Sequence, residues 1–255
     1  MPRFAANLGF LFTEHDFLER FGAARRAGFA AVEFASPYDH PAQRVAERLE
    51  EHGLACALFN LPMGDRAKGD FGLACRPERI AEFRSGVARA IEYALALRCP
   101  RMNCVAGKQL PGEDAAVLRA TLIDNITYAA TELARAELEL VVEPINSIDA
   151  PGFFLTRCSE GAALIAEVNA PNLALQCDLY HVAMMRDDPA ATLDSLKSVI
   201  RHVQFADAPG RNEPGCGRLD FAALFAQLDR LGYAGWTSAE YRPSKRTEDT
   251  LVWMK

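Results

Sequence analysis

Side chains able to do chemistry recur in the second half of the chain, at the ends of apolar, strand-like runs. Leu138-Glu139-Leu140-Val141-Val142 closes on Glu143-Pro144-Ile145-Asn146. Strand side chains alternate with period two, so Val141 and Glu143 share a face. An ionised carboxylate at the tip of a buried strand is costly unless a cation, a metal or a proton accompanies it. The run Leu173 to Asp178 also ends in an acid, with His181 three residues on. Val199 to Ala206 carries His202 and Gln204 on one face, and Trp236 to Tyr241 carries Glu240. Three carboxylates and an amide oxygen (Glu143, Asp178, Gln204, Glu240) make an oxygen-rich set suited to a hard divalent cation, Mg²⁺ or Mn²⁺, with positions left for substrate.

Each of these residues has a plainer alternative. Glu143 could cap the next turn or pair with a lysine, Asp178 could cap the turn that follows it, His181 could be a buried structural histidine and Gln204 a satisfied core amide. His202 reads as support beneath the site rather than as a ligand. Glu33, ending the second strand-like segment, could face the same mouth; its role and that of Asp149 stay open. The turn-rich loop Ala206 to Gly217 supplies Arg211. A planar guanidinium matches a carboxylate bidentately, which suggests an anionic substrate; the alternative is a solvated surface arginine. Lys108, in the loop Gly107 to Gly112, is a weaker anion-binding candidate.

These tips need a scaffold that brings them together, and the pattern supplies one. Strand-like segments at 4–10, 30–34, 54–61, 101–106, about 138–143, 173–178, 199–206 and 236–241 alternate with helix-like ones. The helical segments are Asp16 to Ala27, Pro41 to His52, Pro77 to about Leu97, one ending near Ala136, Ser159 to Val168, Pro189 to Ser198, Asp220 to Leu231 and Ser244 to Met254. The long loop Pro62 to Pro77 interrupts the third unit, and loops of that length are often functional. Eight βα units in 255 residues, without linker or low-complexity segment, predict one α/β domain over residues 1–255: a (β/α)8 TIM barrel, whose active site lies at the C-terminal strand ends. A doubly wound sheet is the runner-up, but the turn after the first strand holds only Gly9 and gives a dinucleotide site no support.

Half the residues are hydrophobic and 24% are charged, as in an ordinary globular protein. No run reaches the roughly 20 apolar residues of a membrane helix, and the N-terminus lacks signal-peptide character. The net charge of −6 argues against nucleic acid as a partner. Seven cysteines with no CxxC pair are expected to be buried, reduced thiols of a cytoplasmic protein. Monomer or homo-oligomer is left open.

Six segments, taken in order, resemble the hydroxypyruvate isomerase family of the xylose-isomerase-like TIM barrels. They are Phe4-Ala5-Ala6-Asn7-Leu8, Val32-Glu33-Phe34, Phe59-Asn60-Leu61-Pro62, Glu143-Pro144-Ile145-Asn146, Asp178-Leu179-Tyr180-His181 and Glu213-Pro214-Gly215-Cys216-Gly217. The resemblance implies a metal site of Glu143, Asp178, Gln204 and Glu240, with Glu143 and Glu240 as the acid–base pair. Related ketose epimerases have a histidine where this chain has Gln204, which favours the isomerase branch. The expected reaction interconverts hydroxypyruvate and tartronate semialdehyde through an enediolate, with His181 bonding a substrate oxygen and Arg211 holding the carboxylate. Competing expectations are the same chemistry on a four-carbon 2-oxo-tetronate, 3-epimerisation of a neutral ketose, a metal-dependent endonuclease on the same barrel, and a non-catalytic binding module.

Overall fold

The computed structural model of the chain describes residues 1–254. Eight parallel strands pair in sequence order and close when the last meets the first. They are β1 (Arg3–Asn7), β2 (Ala31–Phe34), β3 (Ala55–Asn60), β4 (Arg101–Cys104), β5 (Glu139–Val142), β6 (Leu173–Asp178), β7 (Ile200–Phe205) and β8 (Trp236–Ala239). The helices are α1 (Phe17–Arg26), α2 (Ala42–His52), α3 (Ile80–Leu97), α4 (Ala115–Arg135), α5 (Cys158–Val168), α6 (Leu179–Met184), α7 (Pro189–Leu196) and α8 (Phe221–Arg230). The fold is a single (β/α)8 TIM barrel. Among the described residues no helix is long and apolar enough to cross a membrane.

The local reasons are chemical. The strands are rich in Ala, Val, Leu, Phe and Cys because both of their faces are covered. Asp114, Asp188 and Asp220 start α4, α7 and α8 by accepting backbone N–H bonds from the first turns, and Gly53 stops α2 in the left-handed conformation at φ 58°. Most of the apolar core lies between strands and helices, where Phe21, Phe34, Phe59, Val87, Leu118 and Leu122 are buried. The bore is filled by smaller clusters: Ala5, Ala31 and Ala57 with Trp236, and Leu58 with Val141 and Ala174. The second cluster joins β3 to β5 and β6, strands that are not all neighbours, so it spans the interior.

Above that apolar layer the bore turns polar. Asn7 on β1 registers with Glu33 on β2, Asn60 on β3 with Asn103 on β4, and Asp178 on β6 with Gln204 on β7. Glu143 follows β5 directly and Glu240 follows β8. Every strand thus delivers one polar side chain to the C-terminal end.

Some boundaries differ from expectation. The first strand stops at Asn7 rather than Phe10 because the Asn7 side chain turns the chain, Oδ1 accepting from Gly9 N at 2.9 Å. The helix α6 was not expected: Asp178 caps it by accepting from Tyr180 N at 2.9 Å. The last helix-like segment is a pair of 3-10 turns over Thr247–Met254 that kink at Leu251. The seven cysteines are free thiols, six of them buried and Cys216 exposed.

The long loop from Pro62 is docked rather than loose. Gly72 bridges Ala106 beyond β4, and Cys75 N donates to Ala106 O. At Gly72 φ is +103° and an added Cβ would lie 2.3 Å from the Val105 carbonyl oxygen. Gly69, at φ +89°, has nothing within 4 Å of such a Cβ. Both Gly→Ala substitutions incur backbone strain of about 1–2 kcal/mol, but only Gly72→Ala adds a clash, worth roughly 1–3 kcal/mol more. Urea unfolding of the two variants should rank them in that order; equal losses would mean that the loop does not depend on this close approach.

Candidate active site

Five side chains from the tips of β5, β6 and β8, from α6 and from the β7–α8 loop converge. Glu143, Asp178 and His181 each offer a ligand atom within 4.8 Å of the others, and all three are buried. His181 reaches the cluster because α6 starts at Asp178 and brings its third residue back over the strand tip. Its Nε2 lies 3.4 Å from Asp178 Oδ2 and 3.8 Å from Glu143 Oε1. Arg211 Nη2 contacts Glu240 Oε2 at 2.5 Å and Asp178 Oδ2 at 3.5 Å.

Asn146 fixes the tautomer of His181. Its Oδ1 accepts from Ile148 N and Asp149 N, so its amide nitrogen must be the group 2.6 Å from His181 Nδ1. Nδ1 therefore accepts and the ring proton sits on Nε2, facing the carboxylates. Burial, then the Arg211 charge, holds the His181 pKa well below its ordinary value. The ring is neutral and acts as a directed N–H donor. Asp149 buttresses it, accepting from Asn146 at 3.1 Å and from the Tyr180 hydroxyl at 2.6 Å.

Arg211 is held with equal care. Its guanidinium lies between the rings of Phe10 and Tyr180, with centroids 4.7 and 5.0 Å away. Its backbone is left-handed at φ 56°, an uncommon state for a non-glycine residue. Asp207 makes that affordable by organising the loop: its carboxylate accepts from the backbone N–H groups of Ala208, Gly215, Gly217 and Leu219. Burial would lower the Arg211 pKa, but Glu240, Asp178 and Glu143 together raise it.

The carboxylates are under electrostatic stress. Burial, then the charge of Asp178, pushes Glu143 up to about 8, against opposition from Arg211 and the Asn103 hydrogen bond. Burial raises Asp178 to about 6 although Arg211 opposes it. Burial also carries Glu240 well above its ordinary value, with Arg211 opposing and Glu143 and Asp178 reinforcing. Below them Glu33 behaves differently. Burial alone would raise its pKa, but His202 and the hydrogen bonds from His202, Gln204 and Asn7 bring it below the ordinary value. Anionic oxygens crowded at one point, each repelling the next, are a donor set that a hard divalent cation fits.

The expected site residues fall into three groups. Glu143, Asp178 and His181 meet in one cluster, and Glu240 is linked to Asp178 through Arg211. Gln204 lies in the layer beneath, its Nε2 donating to Glu33 Oε1 at 2.6 Å and its Oε1 accepting from Gln176 at 2.6 Å. An amide oxygen has two lone pairs, so that bond leaves one for a cation. Lys108 is not brought in: its backbone pairs with Phe153 and its Nζ lies 5.8 Å from the Phe71 ring centroid. The loop after β4 pairs with the segment around Gly152 and Phe153, which spacing alone does not reveal. His202, read as support, donates from Nε2 to Glu33 Oε2 at 2.5 Å. Sequence reasoning missed the amides Asn7, Asn103 and Asn146 as parts of the site. Their signal was position, one asparagine at the end of β1, one in β4 and one three residues after Glu143.

Comparison with known proteins places this geometry in context. A family model described as "Xylose isomerase-like TIM barrel" matches residues 21–255. The chain is 44% identical to the 2-oxo-tetronate isomerase of Cupriavidus necator, over 100% of this chain and 98% of that protein. It is 43% identical to the hydroxypyruvate isomerase of Escherichia coli, again over 100% and 98%. Among solved structures, a Brucella melitensis protein described as an AP endonuclease, family 2, superposes with a TM-score of 0.97 at 42% identity, covering 100% of this chain and 98% of that one.

The charge crowding sets a pH dependence. A carboxyl whose folded pKa is raised contributes stability that is complete below its unfolded pKa and is lost as pH rises through the folded one. His181, with a depressed pKa, acts in the opposite sense only below about 6.5. Between pH 6.5 and 8 Glu143 and Glu240, both raised, act in the same sense, and the Glu143 share of the stability that chelator-treated protein should lose over that window is roughly 2 kcal/mol. Urea unfolding with chelator at several pH values checks this. Glu143→Gln should flatten the slope; a slope unchanged in that variant would assign the loss to another group.

Proposed function

The chain belongs to the xylose isomerase-like TIM barrel family, and from that premise we propose that it is an isomerase interconverting hydroxypyruvate and tartronate semialdehyde (2-hydroxy-3-oxopropanoate). Isomerase or epimerase chemistry on a small sugar acid follows from the relatives and from the buried acidic and histidine cluster. The observation that carries the finer reading is that two carboxylates of raised proton affinity share one mouth: Glu143 stands in the cluster with Asp178 and the neutral donor His181, and the partly buried Glu240 is joined to that cluster through Arg211, which contacts both Glu240 and Asp178.

Turnover moves one proton from C3 to C2 of hydroxypyruvate and another from O3 to O2, through an enediolate. Glu143 and Glu240 are the carbon acid–base pair: one takes the C3 proton as carboxylate, the other delivers a proton to C2 as carboxylic acid. A carboxyl shifted towards neutral pH suits both halves of that exchange. His181 presents Nε2–H to a substrate oxygen on which charge develops. Arg211 binds the C1 carboxylate: Nε and Nη2 already face Glu240 and Asp178, and Nη1 is the edge left for an anion. Glu143, Asp178, Gln204 and Glu240 would hold the divalent ion, Mg²⁺ or Mn²⁺, which when bound supplies Lewis-acid stabilisation of the developing negative charge.

A second reading, 2-oxo-tetronate as substrate, is favoured by the 44% identity to the Cupriavidus necator enzyme of that name. The chemistry is unchanged and one carbon is added beyond the reacting pair. The endonuclease description of the Brucella melitensis structure suits this site less well. A mouth lined by carboxylates in a chain of net charge −6 repels a phosphodiester backbone, and of the five histidines only His181 stands in the cluster.

Purified protein assayed on hydroxypyruvate and on a four-carbon 2-oxo-tetronate, after chelation and after Mg²⁺ or Mn²⁺ is restored, tests the proposal. Turnover should fall on chelation and return with metal. Glu143→Gln and Glu240→Gln should each lower kcat by about 10²–10⁴-fold, and near-normal turnover in either would overturn the two-carboxylate scheme. Arg211→Ala should lose most of kcat/KM on either acid.

A further inference from the structure

We infer that Asn7, anchored by Glu33, is a positioning residue for Glu240. Asn7 Oδ1 accepts from Gly9 N, which fixes the orientation of its amide. The nitrogen then has two hydrogens and two acceptors: Glu33 Oε1 at 2.8 Å and Glu240 Oε1 at 2.8 Å. The far end of this clamp is immobile. Glu33 is fully buried and also takes Gln204 Nε2 at 2.6 Å and His202 Nε2 at 2.5 Å. With one Glu240 oxygen held by Asn7, the other is directed at Arg211 Nη2, 2.5 Å away.

Glu240 is the site carboxylate in most need of such help. It sits one residue beyond β8, where no strand partner fixes its backbone from both sides, and it is partly exposed. The amide donates to it across the β1–β8 seam, a sequence separation of 233 residues. A carboxylate pinned at one oxygen keeps its plane and presents the other oxygen at a constant place, as hydrogen-bonding partners of metal-binding and catalytic groups do elsewhere.

This inference rests on the role given to Glu240 above, so the experiment separates the two. Mn²⁺ binding to the metal-free protein, followed by electron paramagnetic resonance, and steady-state kinetics would be measured for Asn7→Ala, Glu240→Gln and the double variant. Asn7→Ala should weaken Mn²⁺ binding by roughly 10–100-fold and lower kcat comparably, with KM changed less than about threefold. In the Glu240→Gln background it should add almost nothing, because coupled residues are non-additive. Glu33→Gln keeps an acceptor oxygen for Asn7 and should stay closer to wild type than Glu33→Ala. Should Asn7→Ala fail to fold by circular dichroism, Asn7→Ser, equally unable to reach Glu240, takes its place. A damaging Glu240→Gln beside a silent Asn7 variant, or additive effects in the double variant, overturns the inference and leaves the role of Glu240 standing. If Glu240→Gln is itself silent in both measurements, the role of Glu240 fails and the inference fails with it.

Discussion

Mutual repulsion among buried and half-buried carboxylates is the constraint on which this molecule turns. Glu143, Asp178 and Glu240 are brought to one mouth by the closure of the barrel, and each raises the proton affinity of the others or has it raised by burial. Such an arrangement survives because the cost is spread. Arg211 stands between Asp178 and Glu240, neutral amides hold individual oxygens, and a proton or a divalent cation offsets the rest. The same crowding that strains the fold supplies carboxyl groups able to exchange protons near neutral pH.

Amides make this crowding workable. Asn103 Nδ2 reaches Glu143 Oε2 at 2.7 Å and Asn60 Oδ1 at 3.2 Å, as Asn7 reaches Glu240 and Glu33. Each glutamate at the mouth is therefore held by an asparagine on the strand next to its own. An amide donates without adding charge, so it can orient a carboxylate without pairing it away. A lysine in the same place would orient as well, but it would lower the proton affinity that acid–base work requires. Asn146 does the parallel task for His181, setting its tautomer rather than its charge.

The barrel could be read from the chain because eight apolar runs alternate with eight helical ones, and the convergence of Glu143, Asp178 and His181 because strand tips and a three-residue step fix their places. The asparagines were harder to see, since an isolated Asn near a turn reads as a turn former, and at Asn7 it is that as well. The partners of Gln204 lie 28 and 171 residues away, and the orientation of its amide depends on both. Short-range spacing carries no trace of such contacts. The place of Lys108 was hard to read for a related reason: a loop's direction is decided by what it packs against, here Gly152 and Phe153. The six-residue helix α6 hid inside what looked like a loop, because its defining signal is the Asp178 cap and not an apolar period.

Arg211 differs from the carboxylates in where it comes from. They stand on strands or directly beyond them, whereas the guanidinium arrives on a loop whose shape is dictated by Asp207 and four backbone N–H groups. In the proposed scheme the acid–base groups and the anion anchor are therefore placed by different parts of the fold. If Arg211 anchors the substrate carboxylate as proposed, lengthening or shortening the segment between Ala208 and Leu219 would shift that anchor relative to the strand tips, which the barrel holds. In the proposed scheme that loop would act as a ruler for the acid's chain length, tied to the proton-transfer groups through the Arg211 contacts with Glu240 and Asp178.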